Sequence, residues 1–310
     1  MKTTKEIKII ALALLLSTGL AACGKQQSPT VEAISNNAAV SDTSSVNSFE
    51  YHASKIIGIN PLVPVRADGS NMDSSLRGYL DAFGIVALGD SGSCTGTHLG
   101  NGFVLTAGHC FLEGASTSIL SNQACPTTKV YWGYRGSPAT GSPKPVVNSV
   151  SQCVKVIYAE LTEARDFAIF QVNNPPKAAV AVAMESARTA PNTKLTIFGY
   201  PQGRPLEWSQ YCPLKKNTVA PTAITSPARF AHQCDTEPGN SGSSILAIGP
   251  NGVAKVVGVH DAAAPDPLKY NIGTYMFDAR QILLKQGFNL DQATGAIAAR
   301  NSTRAATRLH

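Results

Sequence analysis

The sequence predicts an all-β protein with a single helix near its carboxyl end. Short apolar runs, each bounded by Gly, Pro, Asn, Asp or Ser, recur at spacings typical of β-strands. Helical periodicity is scarce, and its one good example spans residues 278–287. The chain from residue 56 onward is long enough for two small barrels or for one large domain.

The strands are expected wherever apolar and β-branched residues are followed by turn residues. These runs lie at residues 82–88, 102–106, 128–134, 146–158, 166–172, 194–200, 244–248, 253–259 and 273–277. The helix at 278–287 is expected to have Asp278 as its N-cap and Gly287 as its stop. Its apolar face is expected to consist of Ile282, Leu283 and Leu284. Residues 291–310 are polar and basic and are expected to form a flexible tail.

The amino-terminal residues 1–22 have the pattern of a secretory signal sequence. Three lysines precede an apolar run that is too short to span a membrane. The run ends at Ala21-Ala22-Cys23, which resembles a bacterial lipobox, so we expect lipid modification of Cys23. Ordinary cleavage that leaves a free thiol is the alternative. Residues 23–55 contain few large apolar side chains and are expected to form a lipidated tether or propeptide.

The chain has seven cysteines. If lipid modifies Cys23, six remain, and an even number in an exported chain favours disulfides over metal ligation because no C-x-x-C pair occurs. Six cysteines allow 15 pairings. The six are Cys94, Cys110, Cys125, Cys153, Cys212 and Cys234.

Three separate motifs carry residues suited to acyl transfer. Ser241 lies between glycines in Gly239-Asn240-Ser241-Gly242, which is how a nucleophilic hydroxyl is presented on a tight turn. Such a hydroxyl needs a base and a group that orients the base. His109 follows an apolar strand and can act as the base.

The orienting carboxylate is nearly fixed by elimination. Asp166 and Asp235 are the only aspartates between His109 and Ser241. Asp166 starts an apolar strand and can be buried, whereas Asp235 lies beside the nucleophile, where it would line a substrate pocket. The alternative for Asp166 is a solvated charge paired with Arg165.

The order His, Asp, Ser and the motifs Thr106-Ala107-Gly108-His109-Cys110 and Gly239-Asn240-Ser241-Gly242 resemble the chymotrypsin-like serine peptidases, particularly the bacterial glutamyl endopeptidases. The resemblance implies a trypsin-like peptidase domain at 56–290, built of two six-stranded antiparallel β-barrels and a carboxyl-terminal helix. The barrels would span about residues 80–185 and 186–277. It implies protein or peptide substrates, a monomer, and neither cofactor nor metal.

The resemblance also assigns roles to single residues. The backbone N–H groups of Gly239 and Ser241 would form the oxyanion hole. Thr236 and His260 would bind a substrate glutamate. Asp235 keeps the alternative of cleavage after Arg or Lys open, because an acid in the pocket attracts basic side chains.

Pairing and processing follow from the same resemblance. It implies a Cys94–Cys110 disulfide, and nearest-neighbour pairing then joins Cys125 to Cys153 and Cys212 to Cys234, although the sequence does not decide these two. Ile56-Ile57-Gly58 resembles the mature start of the family after zymogen cleavage, and the alternative is a β-strand entering the first barrel.

The formal charge of +6 is spread along the chain and lacks the density and aromatic interleaving of a nucleic-acid groove. Two hypotheses remain. The first is an exported serine endopeptidase, anchored to the membrane as a periplasmic or cell-surface lipoprotein or secreted after processing. The second is a non-catalytic binding lipoprotein on the same scaffold. Retention of all three catalytic residue types favours the first. The other histidines, expected to be surface or scaffold residues, are His52, His98, His232 and His310.

Overall fold

The computed structural model describes most of the chain from residue 54 to residue 295. The described ranges are 54–57, 62–89, 92–112, 118–136, 147–183, 193–214, 224, 226–249, 252–266 and 268–295. The expected signal sequence, the lipidation site at Cys23, most of the tether, Gly58, His52 and His310 lie outside them. No helix within these ranges is long and apolar enough to cross a membrane.

The described residues are mostly β-strand. In chain order the strands are β1 (Val63–Pro64), β2 (Phe83–Ala87), β3 (Ser93–Gly100), β4 (Phe103–Thr106), β5 (Ser118–Ala124), β6 (Lys129–Trp132), β7 (Ser149–Leu161), β8 (Asp166–Val172), β9 (Lys194–Gly199), β10 (Glu207–Trp208), β11 (Cys212–Pro213), β12 (Arg229–His232), β13 (Ser244–Ile248), β14 (Ala254–Ala263) and β15 (Asn271–Tyr275). Three 3-10 segments are Ser74–Ala82, Gly108–Cys110 and Pro201–Gly203, and the α-helices are α1 (Met276–Lys285) and α2 (Leu290–Ala293).

The first barrel is a closed ring of six antiparallel strands. The strands follow the order β7, β6, β2, β3, β4, β8, and the pairing of β8 with β7 closes the ring. Strand β5 extends it by pairing with the other end of the long strand β7. Trp132 and Phe170 are fully buried in its interior beside Val86 and Val104. The prediction of an antiparallel six-stranded barrel is confirmed here.

The second barrel closes less completely. Its path runs β1, β10, β9, β13, β14, β15, β12, and β11 pairs with β9. A single bridge between Leu214, which follows β11, and His232 on β12 completes the circle. Strand β1 precedes the first barrel in sequence but pairs with β10 of the second. The expected boundaries therefore omit a short piece that belongs to the second barrel.

All nine expected strand regions contain strands, but six strands were not among them. Strand β3 is the longest of the six, and its residues are small or polar yet mostly buried. Gly96 on β3 lies between the side chains of Val86 and Val104, at 2.7 and 3.0 Å from where its Cβ would be. Burial of small residues between large ones leaves no alternating pattern, so the sequence did not reveal this strand. The others are β1, β5, β10, β11 and β12.

The carboxyl-terminal helix begins earlier than expected. Its N-cap is Tyr275 rather than Asp278, because α1 continues directly from β15 and leaves Asp278 in its first turn. Leu284 is 55% exposed, so it does not belong to the buried face. Gly287 stops the helix at φ 79°, with the N–H of Phe288 donating to the Leu283 carbonyl over 2.8 Å.

The expected flexible tail begins with an ordered turn. Helix α2 is capped by the Asn289 side chain, which accepts from the backbone N–H of Gln292. Asp291 is nearly buried and pairs with Arg280 of α1. This part of 291–310 was therefore predicted wrongly, since an ion pair to α1 holds it in place.

Three disulfides join the six cysteines expected to pair. They are Cys94–Cys110, Cys125–Cys153 and Cys212–Cys234. The first ties β3 to the turn that carries His109. The last ties β11 to the segment after β12, next to the bridge that closes the second barrel.

Candidate active site

The two neighbouring strands β4 and β8 bring His109 and Asp166 together. His109 lies in the 3-10 turn directly after β4, and Asp166 is the first residue of β8. In the antiparallel register Thr106 lies opposite Ala168, so the end of β4 meets the start of β8. A close approach between the two side chains follows from this register alone.

Asp166 holds His109 through both of its carboxylate oxygens. His109 Nδ1 lies 2.8 Å from Oδ2, and the backbone N–H of His109 donates to Oδ1 over 3.0 Å. Asp166 is completely buried. A Cβ at Gly108 would overlap the Glu160 carbonyl, so this position requires glycine. The carboxylate thereby fixes both the position and the orientation of the imidazole.

The alternative of a solvated Asp166 paired with Arg165 is wrong. Arg165 instead pairs with Glu160, with 2.8 Å between Nη2 and Oε1. The Tyr158 hydroxyl also donates to Glu160 over 3.1 Å. Glu160 therefore neutralises Arg165, and Asp166 is left to face the imidazole.

Ser241 lies on the turn between β12 and β13, in the motif that the sequence singled out. Gly239 and Gly242 on either side have φ values of 96° and 84°, which only glycine adopts without strain. The Ser241 carbonyl accepts from the N–H of Thr95 over 2.8 Å. A Cβ at Gly242 would overlap the Thr106 hydroxyl. The serine turn is thus packed against the first barrel beside the strand that leads to His109.

Two backbone donors on this turn point to no acceptor. Among the residues that the structure describes, neither the N–H of Gly239 nor that of Ser241 donates a hydrogen bond. The flanking turn is otherwise well bonded, since Asn240 N–H donates to the Glu237 carbonyl over 3.0 Å and Ser243 N–H to the Asn240 carbonyl over 2.9 Å. Donors left open on a rigid turn can bind an oxygen that gains negative charge.

The residues expected to select the substrate lie together, and the segment 54–57 covers them. Thr236 and His260 are completely buried. The Ser54 hydroxyl lies 3.1 Å from His260 Nε2, and the Lys55 N–H donates to the Thr236 hydroxyl over 3.3 Å.

Asp235 contacts the same segment from the other side of Lys55. Its Oδ1 accepts the backbone N–H of Ile57 over 2.6 Å. The Lys55 ammonium instead reaches Asp266, at 2.6 Å from its Oδ1, and two backbone carbonyls. The acidic residue of the expected pocket is therefore bonded to backbone in this form of the chain.

His232 has a closer connection to this site than the sequence indicated. It is fully buried, and its Nε2 lies 3.3 Å from His260 Nδ1. Burial and the neighbouring His260 hold the pKa of His232 well below its usual range, so its ring is neutral. The contact with the His232 ring can orient the His260 imidazole. Among the described residues, the His98 side chain, in contrast, has two hydrogen-bond partners, both backbone: the Ala178 carbonyl and the Gly102 N–H.

Residues 94–259 match the family model described as a trypsin-like peptidase domain. The chain belongs to this family. It is a serine endopeptidase with a trypsin-like fold.

The solved structures that resemble the chain are distant from it in sequence. A Glu endopeptidase in complex with MPD is 21% identical, with a TM-score of 0.52 over 75% of this chain and 98% of that chain. The inactive form of a mutant of Rv3671c from M. tuberculosis H37Rv is 18% identical, with a TM-score of 0.47 over 69% of this chain and 90% of that chain. No curated protein matches the chain.

The electrostatics of the peptidase favour a neutral His109 side chain. Burial and the positive charge of Arg229 lower the pKa of His109 to about 4. Burial raises the pKa of Asp166 and the Asp261 carboxylate raises it further, whereas Arg229 and the His109 N–H lower it. A neutral imidazole can accept a proton.

Sequence reasoning missed three residues of the peptidase near its candidate catalytic residues: Arg229, Asp261 and Thr274. All three are buried. The sequence did contain a signal for Asp261, because this acidic residue interrupts a run of mostly apolar residues. An acidic residue that is buried with such a run needs a partner. Nothing in the sequence points to Thr274, an ordinary strand residue.

The first barrel also brings together Cys94, His109 and Cys110, whose possible ligand atoms lie within 4.8 Å of one another. The two sulfur atoms form a disulfide with each other. Only the imidazole could then bind a metal, and one ligand does not make a metal site.

Proposed function

We propose that this peptidase cleaves peptide bonds through Ser241 as the nucleophile, His109 as the general base and Asp166 as the residue that orients the base. The double contact of Asp166 with the ring and backbone of His109 carries this proposal. With Nδ1 donating to Asp166, the other ring nitrogen is the proton acceptor.

The proposed reaction has two halves. His109 takes the hydroxyl proton of Ser241 as its oxygen bonds to the substrate carbonyl carbon, and the imidazolium then gives that proton to the leaving amine as the peptide bond breaks. In the second half His109 takes a proton from water, which attacks the ester, and returns it to Ser241. The open N–H groups of Gly239 and Ser241 stabilise the oxyanion in both halves.

We further propose cleavage after glutamate. His260 and Thr236 contact the consecutive residues Ser54 and Lys55 of segment 54–57, and both can donate to a carboxylate. Asp235 Oδ1 accepts a backbone N–H. This bond supports cleavage after glutamate, because a carboxylate that already accepts a hydrogen bond repels a substrate glutamate less. The alternative, cleavage after Arg or Lys, requires the Asp235 charge to face the substrate.

Segment 54–57 supports processing as the step that opens this pocket. Ser54 and Lys55 occupy the hydrogen-bonding groups of His260 and Thr236, so a substrate carboxylate cannot reach them while the segment is in place. We propose cleavage at or just before Ile56, which also releases an exported chain from a lipid on Cys23. Asn240 cannot form the ion pair that activates trypsin-like zymogens, so activation occurs at the pocket itself.

Labelling with a fluorophosphonate tests the catalytic proposal. The active protein should be labelled on Ser241, and Ser241→Ala should abolish labelling, while Ser70→Ala, an exposed serine, should not change it. A folded wild-type protein that is not labelled under any condition contradicts the proposal and favours a binding lipoprotein.

Matched peptides that differ only in Glu or Arg before the scissile bond test the specificity. The expected result is a preference for Glu that His260→Ala lowers by about 100-fold or more, because buried donors lose their partner. Asp235→Asn should not abolish the preference, and Asp68→Asn at the surface is the matched control. A preference for Arg that Asp235→Asn destroys would replace the proposal.

Amino-terminal sequencing of the active form checks the cleavage site, and full activity of a chain that still begins at Cys23 would overturn the processing step.

A further inference from the structure

A second buried carboxylate lies behind the one that holds His109. The Thr274 hydroxyl accepts the backbone N–H of Asp166 over 2.9 Å and lies 2.7 Å from Asp261 Oδ2. A hydroxyl has one proton, so with the Asp166 N–H as donor to its oxygen, Thr274 donates to Asp261. Asp261 is completely buried and accepts this bond as a carboxylate does.

A β-bulge aims Asp261 in this direction. In the pairing of β14 with β15, His260 lies opposite Gly273 and Ala262 lies opposite Ile272, which leaves Asp261 as the extra residue. A bulge redirects the side chain of the extra residue and is common next to active sites. The irregularity places a charge in the interior between the barrels, where a regular strand would not.

Arg229 supplies the opposite charge. It lies opposite Thr274 in the pairing of β12 with β15 and is 5% exposed. One of its terminal nitrogens donates to the Thr162 carbonyl over 3.1 Å. Its Nε and Asp261 Oδ1 are both buried without a hydrogen-bond partner among the described residues. Buried charges are stable only when they are compensated. Burial raises the pKa of Asp261, and the positive charge of Arg229 lowers it, so the guanidinium favours the ionised carboxylate.

We propose that Asp261 is a positioning residue of this peptidase that acts on Asp166 through the Thr274 hydroxyl. Its negative charge offsets the positive charge of Arg229, which would otherwise oppose the imidazolium that forms on His109. With two carboxylates and one guanidinium, the group carries one net negative charge, and proton transfer to His109 neutralises it. The inference rests on the proposed catalytic roles of His109 and Asp166.

Other charged and titratable groups lie on the elements around this cluster. On β12, burial and the neighbouring His260 hold the pKa of His232 well below its usual range, so its ring is neutral. On β7, which packs against the His109 turn, Glu160 is paired with Arg165. No charged residue lies on β13 or β15. On α1, which packs against β14, Arg280 is paired with Asp291. The remaining charged residues of α1 are Asp278 and Lys285, one of each sign.

The pH dependence of fluorophosphonate labelling tests the charge balance without a known substrate. Labelling requires ionised Asp166 and neutral His109, so its rate falls as the pH is lowered. Asp261→Asn removes a negative charge, so Asp166 and His109 should lose their protons at lower pH. The pH at which the labelling rate falls should therefore decrease by about one unit. Arg229→Gln removes a positive charge and should move it up by a similar amount. The double variant has the wild-type net charge and should return close to the wild-type profile.

The Thr274 link has its own pair of variants. Thr274→Val removes the hydroxyl and should lower the labelling rate at its plateau by about tenfold, while Thr274→Ser keeps the hydroxyl and should restore it. Asp81→Asn, a half-exposed carboxylate paired with Arg135, is the matched control and should leave the profile unchanged. Thermal unfolding of each variant shows whether it is folded.

Three results would overturn the inference: an unmoved profile in folded Asp261→Asn, shifts of the same sign in the two single variants, or a double variant that adds their defects. If Asp261→Asn does not fold, Arg229→Gln alone must still move the profile upward. If the wild-type protein is not labelled, the proposed function fails. The pH titration of the downfield His109 Nδ1 proton by NMR then tests the same shifts independently.

Discussion

The two barrels of this peptidase differ in how they are closed and in what they bury. A continuous ladder between β7 and β8 closes the first, whereas one bridge between Leu214 and His232 closes the second. The first carries His109 and Asp166. The second carries the Ser241 turn and the residues that would select the substrate. The proposed base thus lies on a complete ring, and the proposed nucleophile and pocket lie on a ring closed by a single bridge.

The buried ionisable residues show the same contrast. Among the described residues, the buried carboxylate, arginine and histidine side chains of the first barrel are His98, Glu160 and Asp166, and those of the second are Glu207, Arg229, His232, Asp235, His260 and Asp261. Burying such groups costs stability unless each is bonded. The second barrel therefore contains more buried groups that require a bonding partner than the first.

The largest loss of activity is expected from changing the contact between Asp166 and His109 in the first barrel. Asp166→Asn should leave the fold intact and lower kcat by about 10⁴-fold, because the amide favours the wrong imidazole tautomer. Asp81→Asn, in a half-exposed ion pair with Arg135 on the same barrel, is the matched control. Kinetics on a cleavable peptide measure both. Turnover near the wild-type rate in Asp166→Asn would remove this residue from the catalytic group.

The junction between the barrels can be broken at Gly242. An alanine Cβ there would overlap groups of Thr95 and Thr106 on the first barrel, in addition to the strain of a positive φ. We expect Gly242→Ala to lower activity by about 100-fold and to lower the melting temperature.

Gly89 is the matched control for Gly242. Its φ is also positive, at 68°, but no atom lies within 4 Å of the position of its Cβ. Gly89→Ala should cost only the backbone strain, about 1 to 2 kcal/mol of unfolding free energy, and should retain activity. Equal losses of activity in the two variants would mean that strain, not barrel contact, matters at Gly242.

The smallest effect on activity is expected from removing one of two disulfides. Cys125–Cys153 in the first barrel and Cys212–Cys234 in the second close loops of 28 and 22 residues, so removing either should lower the unfolding free energy by about 3 to 4 kcal/mol. Activity well below the melting temperature should fall only when the second is replaced by serines, since it adjoins the bridge that closes that barrel. Equal activities would show that the junction does not depend on this disulfide.

The sequence predicted the features that depend on local pattern. Strands with apolar runs, the Gly287 stop and the two glycines around Ser241 all follow from residue type and spacing. Features that depend on register were not predictable. The bulge that turns Asp261 inward appears only when β14 is aligned with β15, and the contact of His232 with His260 joins strands that are not adjacent in sequence.

The contacts of segment 54–57 could not be predicted from the sequence either. Its sequence was compatible with a mature start or with a strand. Only the fold brings Ser54 to His260 and Ile57 to Asp235, residues that lie about 180 or more positions away. Long-range contacts of this kind have no signature in one sequence.

The first and last elements that the structure describes cross between the barrels. Strand β1 precedes the first barrel and pairs with the second. After the second barrel, the Phe288 ring packs on Phe103 of the first at 5.4 Å between centroids, and Asn101 donates to the Ala293 carbonyl over 2.9 Å. If the chain were cut between β8 and β9, each fragment would carry a terminal segment, here called a strap, that packs on the barrel of the other fragment. The straps are β1 and the residues from Phe288 to Ala293. Such fragments should reassemble into an intact enzyme when mixed, and two whole chains at high concentration could exchange the same straps.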